Sequence, residues 1–383
     1  MIKNLIRKSI LGIKTYEPGK PIEEIKRSLK IKAWEIPKYL PLLNMTKLAS
    51  NENPSEPSGK VIEAMKKAAT TINRYPDPFC YYLKKALSEE LSVQPENLVI
   101  GNGSNEIIQF ILRAFLNEGE EVIISEPSFL IYEIATKVVN GTPVTVPLKN
   151  FKHDLEAIRG AITEKTKLIF IDNPNNPTGR SVGEAEVEGF FEKLPANVVV
   201  VFDEAYSEFV EREDYPDTKR YIGRKNIIIL RTFSKAYGLS GLRVGYAIAE
   251  KEIIGFMDRT REPFNVNAMA QAAAVASLKD KEHMERSKVL VSEGKQYLYE
   301  ELDSMGLDYV KSDANFILIN LKRNGKEIFK KMLGEGVIVR DMEIYKLYNY
   351  IRVTVGTMPE NKKFAKALKR VLSGKGSGIE INI

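Results

Sequence analysis

The sequence predicts an α/β protein, with a large domain built on a mostly parallel sheet covered by helices on both faces and a smaller α+β domain. Three observations predict it. From about residue 98, apolar runs of four to six residues, rich in Val and Ile, alternate with longer amphipathic segments, the pattern of doubly buried strands linked by helices. Beyond residue 266 that alternation gives way to long charged helices followed by clustered strands, an α+β grouping. Finally, 383 residues exceed what one hydrophobic core usually serves.

Residues 1–46 carry Pro18, Pro21, Pro37 and Pro41 and one helix candidate, PIEEIKRSL, and are expected to form an arm packed on the small domain. The large domain is expected over 47–266. Its strands and helices read in order as LVIGNG, NEIIQFILRAFLNE, EVIISEP, SFLIYEIATKVV, KLIFIDNP, GEAEVEGFFEKL, VVVVFDEAY, NIIILRTFS and RVGYAIA, within a mixed seven-stranded sheet. The last two strands, 226–232 and 243–249, are separated by only about ten residues, too few for a helical crossover, so one of them runs antiparallel. The small domain is expected over 267–375, with helices near 268–305, strands FILINL, VIVRD and IRVTVGT, and a closing helix near 360–372. Residues 376–383 read as a frayed tail.

Composition excludes several functions. The net charge of +6 comes from interspersed Lys, Arg, Asp and Glu without a basic tract, so no nucleic-acid partner is expected. One cysteine, Cys80, allows no intramolecular disulfide and suits a reducing, cytoplasmic compartment. Basic residues interrupt the apolar ones of MIKNLIRKSILGIKTY, so neither a signal peptide nor a membrane span is expected there. His153 and His283 stand far apart, neither at metal-ligand spacing. No metal and no histidine-based triad is predicted; His153 reads as a loop or capping residue and His283 as a solvated helix position.

In an open α/β sheet, ligands bind at the carboxyl ends of the strands, and the distinctive residues fall there repeatedly. LVIGNGSNE ends a strand in Gly101, Asn102, Gly103 and Ser104 and opens a helix, whose free N–H groups suit a phosphate; a tight βα turn accounts for the same residues. Position 106 is Glu, where a dinucleotide fingerprint needs a third glycine. KLIFIDNPNNPTG ends in Asn173, Asn175, Asn176 and Gly179. VVVVFDEAY puts Asp203 after a strand too apolar to be exposed, where a carboxylate needs a cation or strong donors. Tyr206 follows three residues on, although a helix cap at Asp203 with Tyr206 in the core reads equally well. Lys235 comes just after the next strand, where a partly desolvated amine can form an imine and carry a proton. Arg243 offers a fixed fork for a phosphate, aided by Thr232 and Ser234. An aldehyde to trap, a phosphate to clamp and a ring nitrogen to keep protonated together describe pyridoxal 5′-phosphate.

With these residues assembled, the chain resembles the class I/II aminotransferases of fold type I from about residue 15 to 372. The resemblance is carried by KLASNENP, NRYPDP, GNGSNE, FKHDLEAI, NPNNPTG, FDEAY, RTFSKAYGLSGLRVGYAIA, NFILI, VIVRD and IRVTVGT. It is nearest to those members that transfer the amino group of L-histidinol phosphate to 2-oxoglutarate, in histidine biosynthesis. Aromatic amino-acid aminotransferases and the decarboxylase of threonine phosphate are the alternatives. Aminotransferase-like regulators of transcription carry a fused DNA-binding module, which is not expected in this chain, so that reading ranks below the enzyme.

The resemblance implies roles residue by residue. Lys235 would hold the cofactor's aldehyde and relay the proton, Asp203 would keep the ring nitrogen protonated, and Tyr206 and Asn176 would bond the phenolic oxygen. Phe129 would cover one ring face. The phosphate would be held around Gly103, Ser104 and Asn105, by Thr232, Ser234 and Arg243, and by Tyr75 from a second copy, which implies a homodimer. Arg352 would bind the α-carboxylate, with Tyr16, Asn53 and Arg340 near the substrate. Members usually carry Asp at the position of Asn105, Pro at that of Asp341 and a Gly-containing turn where this chain reads MEIYKLYNY. The stretch IKAWEIPKYLPLLNM, with Trp34, is also unusually long.

Overall fold

A computed structural model describes residues 5–15, 22–24, 44–377 and 379. Tyr16 and Trp34 lie outside them. The described residues divide into two compact units, one over 5–15, 56–176 and 180–286, the other over 22–24, 44–55, 177–179, 287–377 and 379. The strands in chain order are β1 (Thr46–Lys47), β2 (Leu98–Gly101), β3 (Glu121–Glu126), β4 (Thr142–Pro147), β5 (Thr166–Asp172), β6 (Val199–Asp203) and β7 (Ile227–Thr232). There follow β8 (Gly245–Ala249), β9 (Asp308–Val310), β10 (Phe316–Asn320), β11 (Val337–Ile338), β12 (Arg340–Asp341) and β13 (Tyr350–Thr354).

The first unit is built on a seven-stranded sheet in the order β2-β8-β7-β6-β5-β3-β4. Strand β8 pairs antiparallel with both β2 and β7, and the remaining pairs are parallel. The short link to β8 therefore has the consequence its length implied. Alternate residues enter opposite faces of the pleat. Ile169, Val200 and Ile229 join one core, while Leu168, Phe170, Val199, Val201 and Ile228 join the other. Strand β4, TPVTVP, is an edge strand with half-exposed residues, and so lacks the continuous apolar run of its neighbours.

The division between the units falls at 286/287, twenty residues beyond the expected 266/267. Helix Ala268–Leu278 packs in the first unit against helices Gly59–Ala69 and Tyr81–Leu91. Its sequence, AMAQAAAVASL, carries no charge, and buried Ala270, Ala273 and Ala274 let its neighbours approach closely. The charged pattern belongs to helix Lys281–Ser304 alone. The arm also divides: helix Lys8–Leu11 packs on helix Ile131–Val138 in the first unit, whereas Ile22, Met45 and Ala49 pack with Leu333 and Ile338 in the second.

In the second unit an antiparallel sheet runs β12-β13-β10-β9, and β1 pairs in parallel with β11. The run VIVRD is thus shared between two sheets: Val337 and Ile338 pair with Thr46 and Lys47, while Arg340 and Asp341 pair with Arg352 and Ile351. Gly325 starts a helix beneath β13, where a Cβ would lie 2.3 Å from the Tyr350 carbonyl oxygen.

On the far side of β6 from Asp203, Glu204 is buried and accepts Nε and Nη2 of Arg231 at 2.9 and 2.7 Å. Losing one partner leaves a buried charge unanswered. Arg231→Met is expected to destabilise the protein by about 3 kcal/mol, read as a lowered urea midpoint.

Candidate active site

Strands β2, β3, β5, β6 and β7 run in one direction, so their carboxyl ends share one edge of the sheet. Register then aligns what the strands carry. Asp172 faces Asp203, Thr232 faces Gly245, and Gly245 faces Gly101. In the first unit this edge brings together Gly103, Ser104, Asn105, Phe129, Asn176, Asp203, Tyr206, Thr232, Ser234, Lys235 and Arg243.

At one end of the edge lies a cradle. Gly103 has φ 82° and precedes helix Ser104–Phe115, which no side chain caps. A Cβ on Gly103 would lie 2.4 Å from Arg243 Nη2, and one on Gly245 would lie 2.6 Å from the Ser104 amide nitrogen. Only glycine allows guanidinium, strand and helix start to approach so closely. Arg243 Nη1 donates to Ser234 Oγ at 3.3 Å and to the Ser240 carbonyl at 3.2 Å, and Thr232 Oγ1 accepts from the Ser234 N–H. Helix N–H groups and a guanidinium converging in this way suit an anion such as phosphate. Asn105 is exposed on the first turn of the helix.

At the centre, Asp203 is 4% exposed and accepts two hydrogen bonds, from Tyr132 Oη at 2.8 Å and from the Ala205 N–H at 3.1 Å. Burial pushes its carboxyl up to about 7, the Asp172 charge adds to this, and the two donors oppose it. Such a carboxylate is ready for a cationic partner. Lys235 Nζ stands 5.6 Å from the centroid of the buried Tyr206 ring.

Asp172 gathers more donors than Asp203. Its Oδ1 accepts from Ser128 Oγ at 3.0 Å and Asn175 Nδ2 at 3.1 Å, and its Oδ2 accepts from the Asn176 N–H at 2.7 Å. His153 lies in a loop, as expected, but it does not cap: Asp154 caps the following helix, and the His153 ring is buried. Its Nε2 lies 2.8 Å from the Asp172 carbonyl oxygen and 3.1 Å from Oδ1, and its Nδ1 lies 2.7 Å from Ser125 Oγ. Both partners of Nε2 are acceptors, so Nε2 carries a proton and, in the neutral ring, Nδ1 accepts from Ser125. This serine, histidine and aspartate are sealed from solvent and serve as a support. Asp172 ties the loop bearing Asn176 to the loop bearing Ser128 and Phe129.

Sequence reasoning missed Tyr132, Asp172, His153 and Ser128. Asp172 gave the same signal as Asp203, a carboxylate closing an apolar run; Tyr132 gave none, since it reads as one more apolar position of its helix. Tyr75 stands 81% exposed, stacked on Phe264 at 4.5 Å between centroids. In the second unit, Arg340 and Arg352 occupy directly opposed positions of β12 and β13, which places their side chains on one sheet face. Arg352 is buried, donates to the Ala49 carbonyl at 3.2 Å and lies over the Phe316 ring at 5.1 Å. Asn53 Nδ2 donates to Ser287 Oγ at 2.9 Å. Among the described residues there is no cluster of three metal-ligating side chains, and no helix is long and apolar enough to cross a membrane.

Residues 44–368 match the family described as aminotransferase class I and II, and the chain belongs to that family. Within it, the chain is 48% identical over 369 residues to the histidinol-phosphate aminotransferase of Moorella thermoacetica, covering 96% of this chain and 93% of that one. It is 44% identical to the enzyme of the same name from Caldicellulosiruptor saccharolyticus, with 96% and 100% covered. Among solved structures, the histidinol-phosphate aminotransferase of Sinorhizobium meliloti in complex with pyridoxal-5′-phosphate superposes with a TM-score of 0.86 at 26% identity, covering 96% of this chain and 98% of that one.

The position of Asp203 has a consequence for stability. Between the ordinary carboxyl value of 3.8 and about 7, the folded protein holds a proton that the unfolded chain releases, so rising pH removes stability across this window. In cofactor-free protein, Asp203→Asn is expected to gain stability relative to wild type from about pH 4 to about pH 7 and to hold a constant advantage above. Urea midpoints measured from pH 4 to 8 check this; a constant difference over the range would refute it.

Proposed function

We propose that this aminotransferase binds pyridoxal 5′-phosphate and transfers the amino group of L-histidinol phosphate to 2-oxoglutarate, giving imidazole-acetol phosphate and glutamate in histidine biosynthesis. Relatives that cover nearly the whole chain carry that name. The geometric observation that carries the substrate reading is the pair Arg340 and Arg352, two guanidinium groups on one face of the small sheet. Two guanidinium groups brought to one sheet face suit an anionic substrate. A phosphate in one half-reaction and a carboxylate in the other both suit a bidentate fork.

The first unit fits the cofactor. Its phosphate would lie among the N–H groups at Gly103, Ser104 and Asn105, the hydroxyls of Thr232 and Ser234, and Arg243; the glycine cradle supports this. Asp203 would face the ring nitrogen and hold its proton, a role supported by a buried carboxylate whose bonded partners are neutral. Tyr206 and Asn176 would donate to the phenolic oxygen, and Phe129 would cover one face. The bound cofactor would supply an aldehyde for the amino group and an electron sink for the broken Cα–H bond. Lys235 would hold that aldehyde and, once released, move the proton at its Nζ. Asn53 and Arg340 would orient the donor and Arg352 its acid partner; Tyr16 would join them.

We further propose a cytoplasmic homodimer in which Tyr75 of one protomer reaches the phosphate of the other. Exposed Ile72, Tyr75, Phe79, Tyr81 and Tyr82 form an apolar stretch of the kind that meets a partner.

Half-reactions with single donors test the substrate. With cofactor-loaded protein, histidinol phosphate is expected to bleach the visible band rapidly, and phenylalanine, tyrosine and threonine phosphate far more slowly; the reverse order would overturn the assignment. Arg340→Ala is expected to raise KM for histidinol phosphate roughly 10- to 100-fold and to leave an unphosphorylated donor little changed. Lys235→Ala is expected to lower turnover at least about 10,000-fold with an unchanged far-ultraviolet circular dichroism spectrum.

A further inference from the structure

The geometry points to Tyr132 as a positioning residue that acts through Asp203 on the cofactor's ring nitrogen. This rests on the reading that Asp203 faces that nitrogen. Tyr132 is fully buried, and its hydroxyl reaches Asp203 Oδ2 at 2.8 Å. When Asp203 is ionised its oxygens only accept, so the phenol donates, and this bond favours the charged form of Asp203. Burial and the charges of Asp203 and Asp172 push the Tyr132 hydroxyl well above its ordinary range, so it remains a donor.

The ring is fixed from several sides. It stacks on Phe170 at 4.6 Å and 12°, meets Phe129 edge-on at 5.5 Å, and its backbone N–H donates to the Phe129 carbonyl at 3.1 Å. One short segment therefore carries both Phe129 and the donor that holds Asp203. With the Ala205 N–H on Oδ1, Tyr132 occupies Oδ2 and fixes the plane of the carboxylate. Its removal leaves Asp203 with one donor in a site where burial already opposes the charge.

The test uses cofactor-free wild type and Tyr132→Phe, each titrated with pyridoxal 5′-phosphate and with its analogue in which carbon replaces the ring nitrogen. Loss of a hydrogen bond to a charged group is expected to weaken binding of pyridoxal 5′-phosphate about tenfold. Binding of the analogue is expected to stay unchanged, because it offers Asp203 no cationic nitrogen. In an Asp203→Asn background the same change is expected to cost nothing further. Equal losses with both ligands, or no loss with either, would overturn the inference and leave the functional reading intact. Failure of wild type to bind pyridoxal 5′-phosphate would instead overturn that reading and, with it, this inference.

Discussion

Asp172 and Asp203 end neighbouring parallel strands in direct register, so two carboxylates lie side by side within the protein. Taking a carboxylate out of water is costly unless donors or a cation replace the hydration. The donors here are divided unequally. Asp172 receives Ser128, Asn175, Asn176 and His153, all from the protein itself. Among the described residues, Asp203 receives Tyr132 and one backbone N–H. This asymmetry makes Asp172 a structural hub and leaves Asp203 ready for a ligand that brings positive charge.

The alternation of a strand explains how so much charge fits at one edge. Asp203 and Glu204 are consecutive and point to opposite faces, and Glu204 is answered by Arg231 on its own side. Next to them one strand, β8, is reversed, which brings Gly245 between Gly101 and Thr232. The absence of side chains there lets the Arg243 guanidinium and the start of helix Ser104–Phe115 converge on one small volume. Carboxylate and cradle thus occupy separate positions along the same edge, a division that suits a ligand with a cationic ring at one end and a phosphate at the other.

The small unit repeats the logic with opposite sign. Antiparallel register sets Arg340 across from Arg352, and the split of VIVRD between two sheets turns Val337 and Ile338 into core while leaving Arg340 on the neighbouring strand. Two guanidinium groups are thereby brought to one face of the small sheet.

Much of this was legible in the sequence. Continuous runs such as LIFID and VVVVFD announce doubly buried parallel strands, the short link between 232 and 243 announces an antiparallel one, and the unusual residues at the strand ends announce themselves by breaking apolar runs. Tyr132 was not legible: its partner lies 71 residues away, and nothing in its own helix marks it as polar in function. The burial of His153 in its loop was not legible either, because it depends on Ser125 and Asp172, which lie 28 and 19 residues distant. For the uncharged helix Ala268–Leu278, periodicity reports that a face is buried and not which neighbour buries it, so its place in the first unit was not legible. The sequence by itself determined the strands, their mostly parallel direction and the residues at their ends, since these follow from local hydrophobic pattern and link length. Tertiary structure alone decided which of those residues meet, because sheet order and register, set by packing across the whole chain, choose the partner of every buried polar group.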